Sequence, residues 1–386
     1  MNKKKIIAVI ILILLMIGLC AFIYYDKFID KSINIKNTNT TSTKKTSSSS
    51  SITKGGTYNY SGNTDPITID TNEDVTIALS GVSIKNDNGP AIYVKSANKV
   101  TIIVEGENTL TSKVNENEDA CIYSKDDLEL GGTGTLTVNS NIDGISSSDN
   151  LVIKSGTYII NTDDDAVKGK DSVTIEGGKF TLNAKGDGIK ATNEEDVKKG
   201  IITINDGEFN ITTTKDGFDS TNIIKINKGT YTIKSSDDGI HADGYLEINN
   251  GSISIDAVEG LEATYIKIND GTININASDD GINAGNKSNN YSVLIEINGG
   301  NLTINMGQGD TDGIDSNGDI IINGGTINIT GNSAFDYDET ATYNGGKLII
   351  NGEETTEINN QFMGGPQGGG RDEGPQNNQE FRGGRR

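Results

Sequence analysis

The 386-residue sequence contains no tryptophan, two cysteines, one histidine and four prolines. Cys20 and Cys121 are too few for a disulfide framework, so they do not indicate the redox compartment. One histidine and two cysteines also provide no Cys/His cluster of the kind that binds zinc or copper. All four arginines lie after residue 370, so the rest of the chain has no guanidinium group to clamp an acidic substrate.

Positive charge is scarce throughout the chain. There are 54 acidic residues against 33 lysines and arginines, which gives a formal net charge of -21. Binding of nucleic acid or of anionic lipid by the folded part needs a basic face, so the composition argues against both. Hydrophobic residues make up only 33% of the chain, and the 48 glycines follow no strict triplet period, which excludes collagen.

The N-terminus has the composition of a membrane segment. Residues 1–5 carry three lysines, and residues 6–25 contain no charge. Twenty residues span about 30 Å as a helix, so the run is either a cleaved signal peptide or a retained anchor. No small-x-small cleavage site follows it, and the large Leu19 precedes Cys20 where lipoprotein processing requires a small residue. We expect an uncleaved transmembrane helix that is the protein's only contact with the membrane, with the rest of the chain on the extracellular face. If this segment is cleaved, we expect a secreted protein.

Two further segments have compositions typical of disorder. Residues 26–51 are rich in Ser, Thr, Asn and Lys and lack periodicity, which predicts a linker. Residues 361–386 begin with a Gly/Pro/Gln-rich stretch and end in two arginines, which predicts a flexible tail. A role of this tail in binding a cell wall or a partner is the alternative.

The remaining residues, 52–360, form one repeat array. A glycine followed by strand-like residues recurs about every 22 residues, with occasional insertions. These glycines are Gly56, Gly81, Gly106, Gly134, Gly156, Gly178, Gly207, Gly229, Gly251, Gly271, Gly300, Gly325 and Gly346. From Gly134 onward, the second and fourth residues after each glycine are apolar in all ten repeats. This alternation predicts a strand with one buried face and one outward face.

Each repeat contains two further short strands. One resembles the Val-Thr-Ile of residues 173–175, and the other follows an acidic turn, as in the Asp-Gly-Ile of residues 238–240. Three such strands with their turns, in about 22 residues, make one coil of a parallel β-helix. A leucine-rich horseshoe is the alternative solenoid, but its Leu-x-x-Leu-x-Leu spacing is absent. We therefore predict an all-β parallel β-helix of about 13 coils.

An acidic residue precedes the middle strand in coil after coil. The predicted column comprises Asp119, Asp143, Asp165, Asp187, Asp216, Asp238, Glu259, Asp280 and Asp312. Equivalent residues of adjacent coils lie about 4.8 Å apart, and two carboxylates at that distance repel by about 3.5 kcal/mol at an effective dielectric constant of 20. A shared cation would relieve this repulsion, and calcium–oxygen bonds of about 2.4 Å fit the spacing. Oxygen ligands without a Cys/His cluster favour calcium over zinc or copper.

We predict calcium sites on this column and on the acids beside it. The candidate ligands are Asp164, Asp165, Asp187, Asp216, Asp219, Asp237, Asp238, Asp243, Glu259, Glu262, Asp279, Asp280, Asp310, Asp312 and Asp315. The strongest groups are expected within residues 216–243 and 259–280. The alternative is that each aspartate is a solvated Asp-Gly turn residue, chosen for local hydrogen bonding and for its tolerance of unusual dihedral angles.

The motifs Asp-Asp-Gly-Ile-x-Ala and Ile-x-Gly-Gly-x-Ile-x-Ile, with a glycine-rich tail, resemble those of secreted clostridial carbohydrate-binding β-helix proteins, formerly a domain of unknown function. The resemblance covers about residues 55–365. Its acidic motif is present at residues 237–240 and 279–282 and departs at residues 259–261 and 119–122. It implies a right-handed parallel β-helix similar to pectate lyases, which binds calcium and wall polysaccharides such as cellulose and polygalacturonate without lyase activity.

A pectate-lyase-like enzyme would need a strong base beside calcium and arginines for the uronate, and the repeat array has no arginine. Lys168, Lys190 and Lys234 could replace arginine, but we expect them to form outward salt bridges. His241, the only histidine, is expected to be an outward-facing strand residue rather than a proton carrier. We therefore predict a binding protein and not an enzyme, although the many acidic pairs leave hydrolysis open.

The charge of the repeat array suggests how it would bind. Residues 52–360 carry 49 acids against 21 lysines, so an acidic polysaccharide such as pectin would be repelled unless calcium bridges the two. We predict that protein carboxylates hold calcium with positions open to sugar oxygens. Neutral sugars would stack on outward tyrosines, for which Tyr93, Tyr245, Tyr265 and Tyr291 are candidates. The alternative is a surface adhesin or spacer in which calcium only stiffens the rod.

Overall fold

The computed structural model describes residues 50–113, 120–307 and 311–360. The predicted anchor at residues 6–25 and the predicted tail at 361–386 lie outside these ranges, as does nearly all of the predicted linker. The described residues form 36 strands and no helix. Accordingly, this part of the chain has no helix with the length and apolar character needed to cross a membrane.

The strands build about thirteen coils, each with one strand in each of three sheets, which confirms the predicted parallel β-solenoid. A coil passes from the repeat glycine through sheet 1, the acidic turn, sheet 2, a corner and sheet 3. Four long strands bend from one sheet into another: Gly56–Thr64 and Asp74–Asn86 run from sheet 3 into sheet 1, and Ile240–Ile248 and Leu261–Ile268 run from sheet 2 into sheet 3.

The other strands each belong to one sheet. Those of sheet 1 are Glu107–Ser112, Thr135–Ser140, Thr157–Thr162, Lys179–Ala184, Glu208–Thr213, Thr230–Lys234, Ser252–Ala257, Thr272–Ala277, Asn301–Met306, Thr326–Thr330, Lys347–Ile350 and Glu353–Thr355. Those of sheet 2 are Ser50–Ile52, Ile67–Asp70, Ile92–Ser96, Ala120–Ser124, Asp143–Ser147, Val167–Gly169, Ile189–Ala191, Phe218–Ser220, Ile282–Ala284, Asp312–Ser316 and Ser333–Tyr337. Those of sheet 3 are Lys99–Glu105, Leu128–Gly132, Asn150–Ile153, Ser172–Ile175, Ile201–Ile204, Ile223–Ile226, Leu294–Ile297, Asp319–Ile322 and Ala341–Tyr343.

The core consists of columns of aliphatic side chains. In sheet 1, Ile253 and Ile255 point inward and pair in register with Ile273 and Ile275 of the next coil, and all four are buried. The apolar pairs predicted for this sheet are buried throughout residues 136–329. Burying one such side chain contributes about 1.5–3 kcal/mol, and each has neighbours in the coils on both sides. Stacking therefore allows a chain with few hydrophobic residues to fold.

A stack of aromatic rings occupies part of this core. Tyr158, Phe180, Phe209 and Tyr231 lie in register in four successive coils, with ring centroids 5.2, 4.8 and 4.8 Å apart. The repeat glycine two residues earlier makes room for each ring. At Gly207, where φ is 143°, a Cβ atom would lie 2.8 Å from the ring of Phe209. Glycine is needed there for its backbone conformation and for the space it leaves.

An asparagine ladder follows sheet 3. Each side-chain amide donates a hydrogen bond to the amide oxygen of the preceding coil, over 2.7–3.0 Å. Its members are Asn205, Asn227, Asn249, Asn269, Asn298, Asn323 and Asn344. Beyond the ladder, Glu353–Thr355 turns back antiparallel onto Lys347–Ile350. The amide chain fixes the register between coils, and the antiparallel strand covers the last edge of sheet 1.

We expect Phe209→Ala to lower the free energy of unfolding by about 3–5 kcal/mol, because it leaves a cavity between the rings of Phe180 and Tyr231. Denaturant unfolding followed by circular dichroism measures the loss. Asn210→Ala changes an exposed side chain of the same strand and should alter stability by less than about 0.5 kcal/mol. Equal losses in the two variants would contradict the role given to the aromatic stack.

Candidate functional site

The acidic turn before sheet 2 aligns one carboxylate per coil. We call this column the acid ladder, and its described members are Asp143, Asp165, Asp187, Asp216, Asp238, Glu259, Asp280 and Asp312. Burial is nearly complete for Asp143, Asp165 and Asp187, which are 0%, 4% and 1% exposed. Asp119, predicted as a further member, lies outside the described residues.

Backbone hydrogen bonds hold the ladder in register. The N–H of Asp165 donates to Oδ1 of Asp143 over 3.1 Å, and the N–H of Asp187 donates to Oδ1 of Asp165 over 2.9 Å. The N–H groups of Asp216 and Asp238 make the same bond to the preceding aspartate, over 2.9 and 2.8 Å. A charged acceptor strengthens such bonds. One oxygen of each carboxylate is thus used by the backbone, and the second is left for other partners.

The glycine after each ladder residue permits the close approach of neighbouring coils. A Cβ atom at Gly217 would lie 2.5 Å from the carbonyl oxygen of Gly239, and one at Gly239 would lie 2.6 Å from that of Gly260. None of these three glycines has a positive φ. Unusual dihedral angles therefore do not explain the Asp-Gly pairs of these coils. The aspartate accepts a hydrogen bond from the next coil, and the glycine leaves space for the backbone of that coil.

A second column lies beside the ladder, three residues further along each coil. We call it the outer column, and its members are Ser146, Lys168, Lys190, Asp219, His241, Glu262, Asn283, Asp315 and Asp336. They pair in register from one coil to the next. Because the column changes from basic to acidic along the rod, it determines how each ladder carboxylate is neutralised.

At the start of the ladder a lysine supplies the neutralising charge. Lys168 Nζ is 2.8 Å from Oδ2 of Asp143 and 3.8 Å from Oδ2 of Asp165. Burial, reinforced by the charge of Asp143, raises the pKa of Asp165 to about 7. One carboxylate oxygen of Asp164 lies within 4.8 Å of those of Asp143 and Asp165. The structure thus brings two predicted ligands, Asp164 and Asp165, together beside an ammonium group.

The next coils use a second lysine in the same way. Lys190 pairs with Asp187 and, over 2.8 Å, with Asp219. Burial alone would lower the pKa of Lys190, but the hydrogen bonds with these two aspartates outweigh burial and raise it. The salt bridges predicted for Lys168 and Lys190 are confirmed. Lys234 lies in sheet 1 instead and makes no ion pair with the described residues.

His241 lies among four carboxylates. Its Nδ1 is 3.4 Å from Asp219 and 3.7 Å from Asp216, and its Nε2 is 3.5 Å from both Asp243 and Glu262. Burial disfavours the imidazolium, but the hydrogen bonds with Asp216 and Asp219 and the charge of Glu262 outweigh it and raise the pKa of His241 to about 11. His241 lies on the outward side of its strand, as predicted, yet only 18% of its side chain is exposed, and its four carboxylate neighbours favour the imidazolium form.

Asp216, Asp237 and Asp238 form an all-carboxylate group, with one oxygen of each lying within 4.8 Å of the others. Burial, followed by the charge of Glu262, raises the pKa of Asp238 to about 9. Asp237 is exposed, so the group is open to solvent on one side. Converging carboxylate oxygens of this kind suit a hard divalent cation. Three of the five predicted ligands in residues 216–243 thus converge here, whereas Asp219 and Asp243 face His241.

The second predicted group is partly neutralised by neighbouring side chains. Lys287 Nζ is 2.5 Å from Oε1 of Glu262, and Asn283 Nδ2 donates to Oε2 of Glu259 over 3.0 Å. Burial and the charge of Glu262 raise the pKa of Glu259 to about 7. Asp279, also a predicted ligand of this group, is exposed to solvent.

The surroundings of Asp280 differ from those of the earlier ladder members. Among the residues that the structure describes, no lysine pairs with Asp280, Asp315 or Asp336. Burial is the main cause that raises the pKa of Asp280 to about 6 and that of Asp315 to about 7, and neighbouring carboxylates add to this effect. Asn283 Oδ1 and Ser333 Oγ are buried atoms without a hydrogen-bond partner. Ser333 is in register with the ladder, so polar oxygens accompany the carboxylates here.

Some residues of this face were absent from the predicted ligand set. Asp143 follows the same Asp-Gly-Ile pattern and was detectable from it. Lys287 comes from an insertion, and Asp336 lacks the Asp-Gly motif, so only the strand register places them here. His241 was noticed, but its contacts required knowledge of which coils are adjacent. Asp310, a predicted ligand, lies outside the described residues.

Three of the four predicted sugar-stacking tyrosines lie together. The ring centroid of Tyr245 is 4.9 Å from that of Tyr265 and 5.8 Å from that of Tyr291. Tyr93 lies in an early coil, where its ring stacks on Tyr123 at 5.5 Å. One cluster of three tyrosines therefore lies near the middle of the acid ladder, and a separate pair of tyrosines lies in the coils before the ladder.

The family described as carbohydrate-binding domain-containing protein matches residues 46–238 and 235–363. The chain belongs to this family. One relative, a carbohydrate-binding domain-containing protein from Acetivibrio thermocellus, is 42% identical over an alignment of 117 positions, and the match covers 26% of the chain and 41% of that relative. The chain thus spans about two fifths of the length of this curated relative.

A solved structure shares the fold of this family member. It is described as a polysaccharide lyase-like protein from C. thermocellum, in a gadolinium derivative. The two chains are 33% identical with a TM-score of 0.51, and the match covers 55% of this chain and 91% of the other. Family membership and the shared β-solenoid both support carbohydrate binding.

In metal-free protein, we expect stability to rise as the pH falls from about 8 to about 5. The pKa of Asp315 is about 7 in the folded chain, against about 3.9 for an unfolded aspartate, so the native state binds the extra proton in this window. Thermal unfolding midpoints in excess chelator provide the measurement. Asp315→Asn should reduce the pH dependence without abolishing it, because other acids with raised pKa values remain, and the exposed Asp256→Asn should preserve it. A wild-type midpoint that falls towards pH 5 would contradict this assignment.

Proposed function

We propose that this protein is a calcium-dependent, non-catalytic polysaccharide-binding protein, held at the extracellular face of the membrane by residues 6–25, with acidic polysaccharides such as polygalacturonate as ligands. The observation that carries the proposal is the acid ladder, whose carboxylates are aligned from coil to coil. Lysines pair with Asp143, Asp165 and Asp187, whereas no ion pair joins a lysine of the described residues to Asp280. Family membership supports the carbohydrate as the ligand.

Two places on the ladder fit calcium. At the first, carboxylate oxygens of Asp216, Asp237 and Asp238 converge, and Asp237 is exposed to solvent. At the second, the raised pKa values of Asp280 and Asp315 reflect partly buried carboxylates whose repulsion a cation would relieve. Both offer oxygen donors, which calcium prefers, and the coil spacing of about 4.8 Å is about two calcium–oxygen bonds.

The ligand shell suggests how sugar is held. Calcium takes about six to eight oxygen ligands, so three or four protein oxygens leave positions open. A uronate carboxylate or a sugar hydroxyl would occupy them, and calcium would then join two chains that otherwise repel each other.

We also propose that binding occurs without catalysis. Residues 52–360 contain no arginine to clamp a uronate. The ammonium groups of Lys168 and Lys190 are each held by two carboxylates, which keeps them protonated and unable to accept a proton from a sugar. The competing possibility, a polysaccharide lyase, is raised by the description of the solved relative.

Isothermal titration of metal-free protein with calcium chloride should show binding with a Kd of about 0.1–1 mM or tighter. Asp237→Asn should weaken binding at one site about tenfold, because it removes one of three converging carboxylates without touching the ladder hydrogen bonds. Asp256→Asn, an exposed acid of sheet 1, is the matched control. An unchanged isotherm for Asp237→Asn would contradict this site, and the absence of calcium uptake by wild type would contradict the mechanism.

Immobilised polygalacturonate should retain the protein in calcium buffer and release it in excess chelator, because calcium bridges two anionic surfaces. Retention in chelator would contradict bridging. Calcium uptake without retention on any glycan would favour the alternative of a surface adhesin or spacer. Release of unsaturated or reducing ends from the polysaccharide would show an enzyme instead of a binding protein.

A further inference from the structure

The part of the chain that the structure describes leaves the coils at the end of sheet 2. Ile358 packs against the core, and the side-chain amide of Asn360 donates a hydrogen bond to the carbonyl oxygen of Tyr337 over 2.7 Å. Tyr337 is the last residue of the last strand of sheet 2 and directly follows Asp336 of the outer column. The residues after Asn360 therefore begin beside the outer column.

Carboxylates crowd this end of the rod. Asp315 and Asp336 pair in register, and none of the described lysines forms an ion pair with either of them. The negative charges of Asp280, Asp312 and Asp338 also act on Asp315. We call these five residues the acidic end, and each of them is partly or fully exposed. Because like charges this close repel each other, a cation from outside the coils would stabilise the group.

A buried hydroxyl at the same end also lacks a partner. Ser333 takes the ladder position in the last coil, where it is in register with Asp312. Ser333 is 2% exposed, and its Oγ forms no hydrogen bond with the described residues. A buried polar atom without a hydrogen bond costs free energy. The charges and this hydroxyl together indicate that a group with hydrogen-bond donors completes the end of the rod.

All arginines of the chain follow Asn360. Residues 371–386, which we call the arginine segment, contain all four, and residues 382–386 contain three of them without an acidic residue. The three acids of the segment all precede residue 382. A guanidinium group carries a permanent positive charge and five N–H donors in a planar fork that matches a carboxylate. The arginine segment therefore offers the charge and the donors that the acidic end lacks.

The arginine segment can reach the acidic end of its own chain. Residues 361–382 can span at most about 70 Å. Along the outer column, the five coil steps from Asp336 back to Asp219 cover about 24 Å. Attachment to the same chain also gives the arginines a high effective concentration at this surface. Both the exit point and the length of the chain beyond it thus favour binding within one molecule.

We propose that the arginine segment binds the acidic end of its own chain and competes there with calcium. This inference rests on the proposed function, because the competition concerns the calcium position between Asp280 and Asp315, and it adds a regulator of that position. In metal-free protein, guanidinium groups pair with carboxylates of the acidic end. Calcium displaces them, since two cations cannot occupy the same carboxylate oxygens. The ion then both fills the position and clears the surface for a sugar.

Isothermal titration of metal-free protein with calcium chloride at low ionic strength measures the competition. Replacement of the last three arginines should lower the Kd of calcium at the acidic end about fivefold, because calcium no longer displaces a guanidinium group. This variant is Arg382→Gln/Arg385→Gln/Arg386→Gln. The matched control removes three positive charges from exposed lysines elsewhere and should bind calcium as wild type does. It is Lys54→Gln/Lys95→Gln/Lys234→Gln.

Limited digestion with trypsin tests the contact in the absence of calcium. Cleavage after Arg382 should be about fivefold slower in metal-free wild type than in Asp315→Asn/Asp336→Asn, because that variant lacks two carboxylates of the acidic end. High salt should remove the difference, since it screens exposed ion pairs. The exposed Asp256→Asn is the matched control and should be cleaved as slowly as wild type. Mass spectrometry of the released peptides gives the rates, and circular dichroism establishes that the variants are folded.

The outcomes separate this inference from the proposed function. If wild type takes up calcium and binds polygalacturonate, but loss of the arginines leaves the calcium Kd unchanged or loss of the two carboxylates leaves cleavage unchanged, the inference is overturned and the proposed function stands. Absence of calcium uptake overturns the proposed function and the competition together. Protection that increases with protein concentration would assign the arginine segment to a second copy. Protection that requires polygalacturonate would assign it to an acidic glycan, and either result overturns binding within one chain.

Discussion

The hydrogen bond from a backbone N–H to the carboxylate of the preceding coil is the interaction on which the acidic face depends. From Asp143 to Asp216 it places a buried carboxylate in each coil, about 4.8 Å from the next. A protein that uses this bond repeatedly must then offset a line of negative charge in a poorly solvated position. The composition of the outer column, and the function that we assign to it, follow from that requirement.

The groups that neutralise the ladder carboxylates change along the rod. Lys168 and Lys190 neutralise the first coils with ammonium groups, and His241 does so with an imidazolium among four carboxylates. Around Asp280 and Asp315, the described residues provide no lysine. Removing a lysine from a buried pair leaves a charge without a partner, so the early coils are structural. Where a fixed cation is missing, we propose that calcium binds instead and that its open coordination positions take the ligand.

The fold was predictable from the sequence because each coil repeats the same simple signals. Alternating apolar residues, a glycine before sheet 1 and an acidic turn before sheet 2 each have one physical reason and recur at one period. The alignment of Asp216, Asp237 and Asp238 followed from that period. The contacts of Lys287 and Tyr291 did not, because both come from an insertion whose path depends on packing against coils that are distant in sequence. The contacts of these two residues therefore became visible only with the strand register.

Diffraction from crystals grown with calcium, and from matched crystals soaked with a lanthanide for anomalous scattering, tests the account most directly. We expect ions on the acid ladder, at Asp216, Asp237 and Asp238 and between Asp280 and Asp315, each bound by carboxylate oxygens from more than one coil. Density for water alone along the ladder at saturating calcium, with every ion bound elsewhere on the surface, would contradict the central claim.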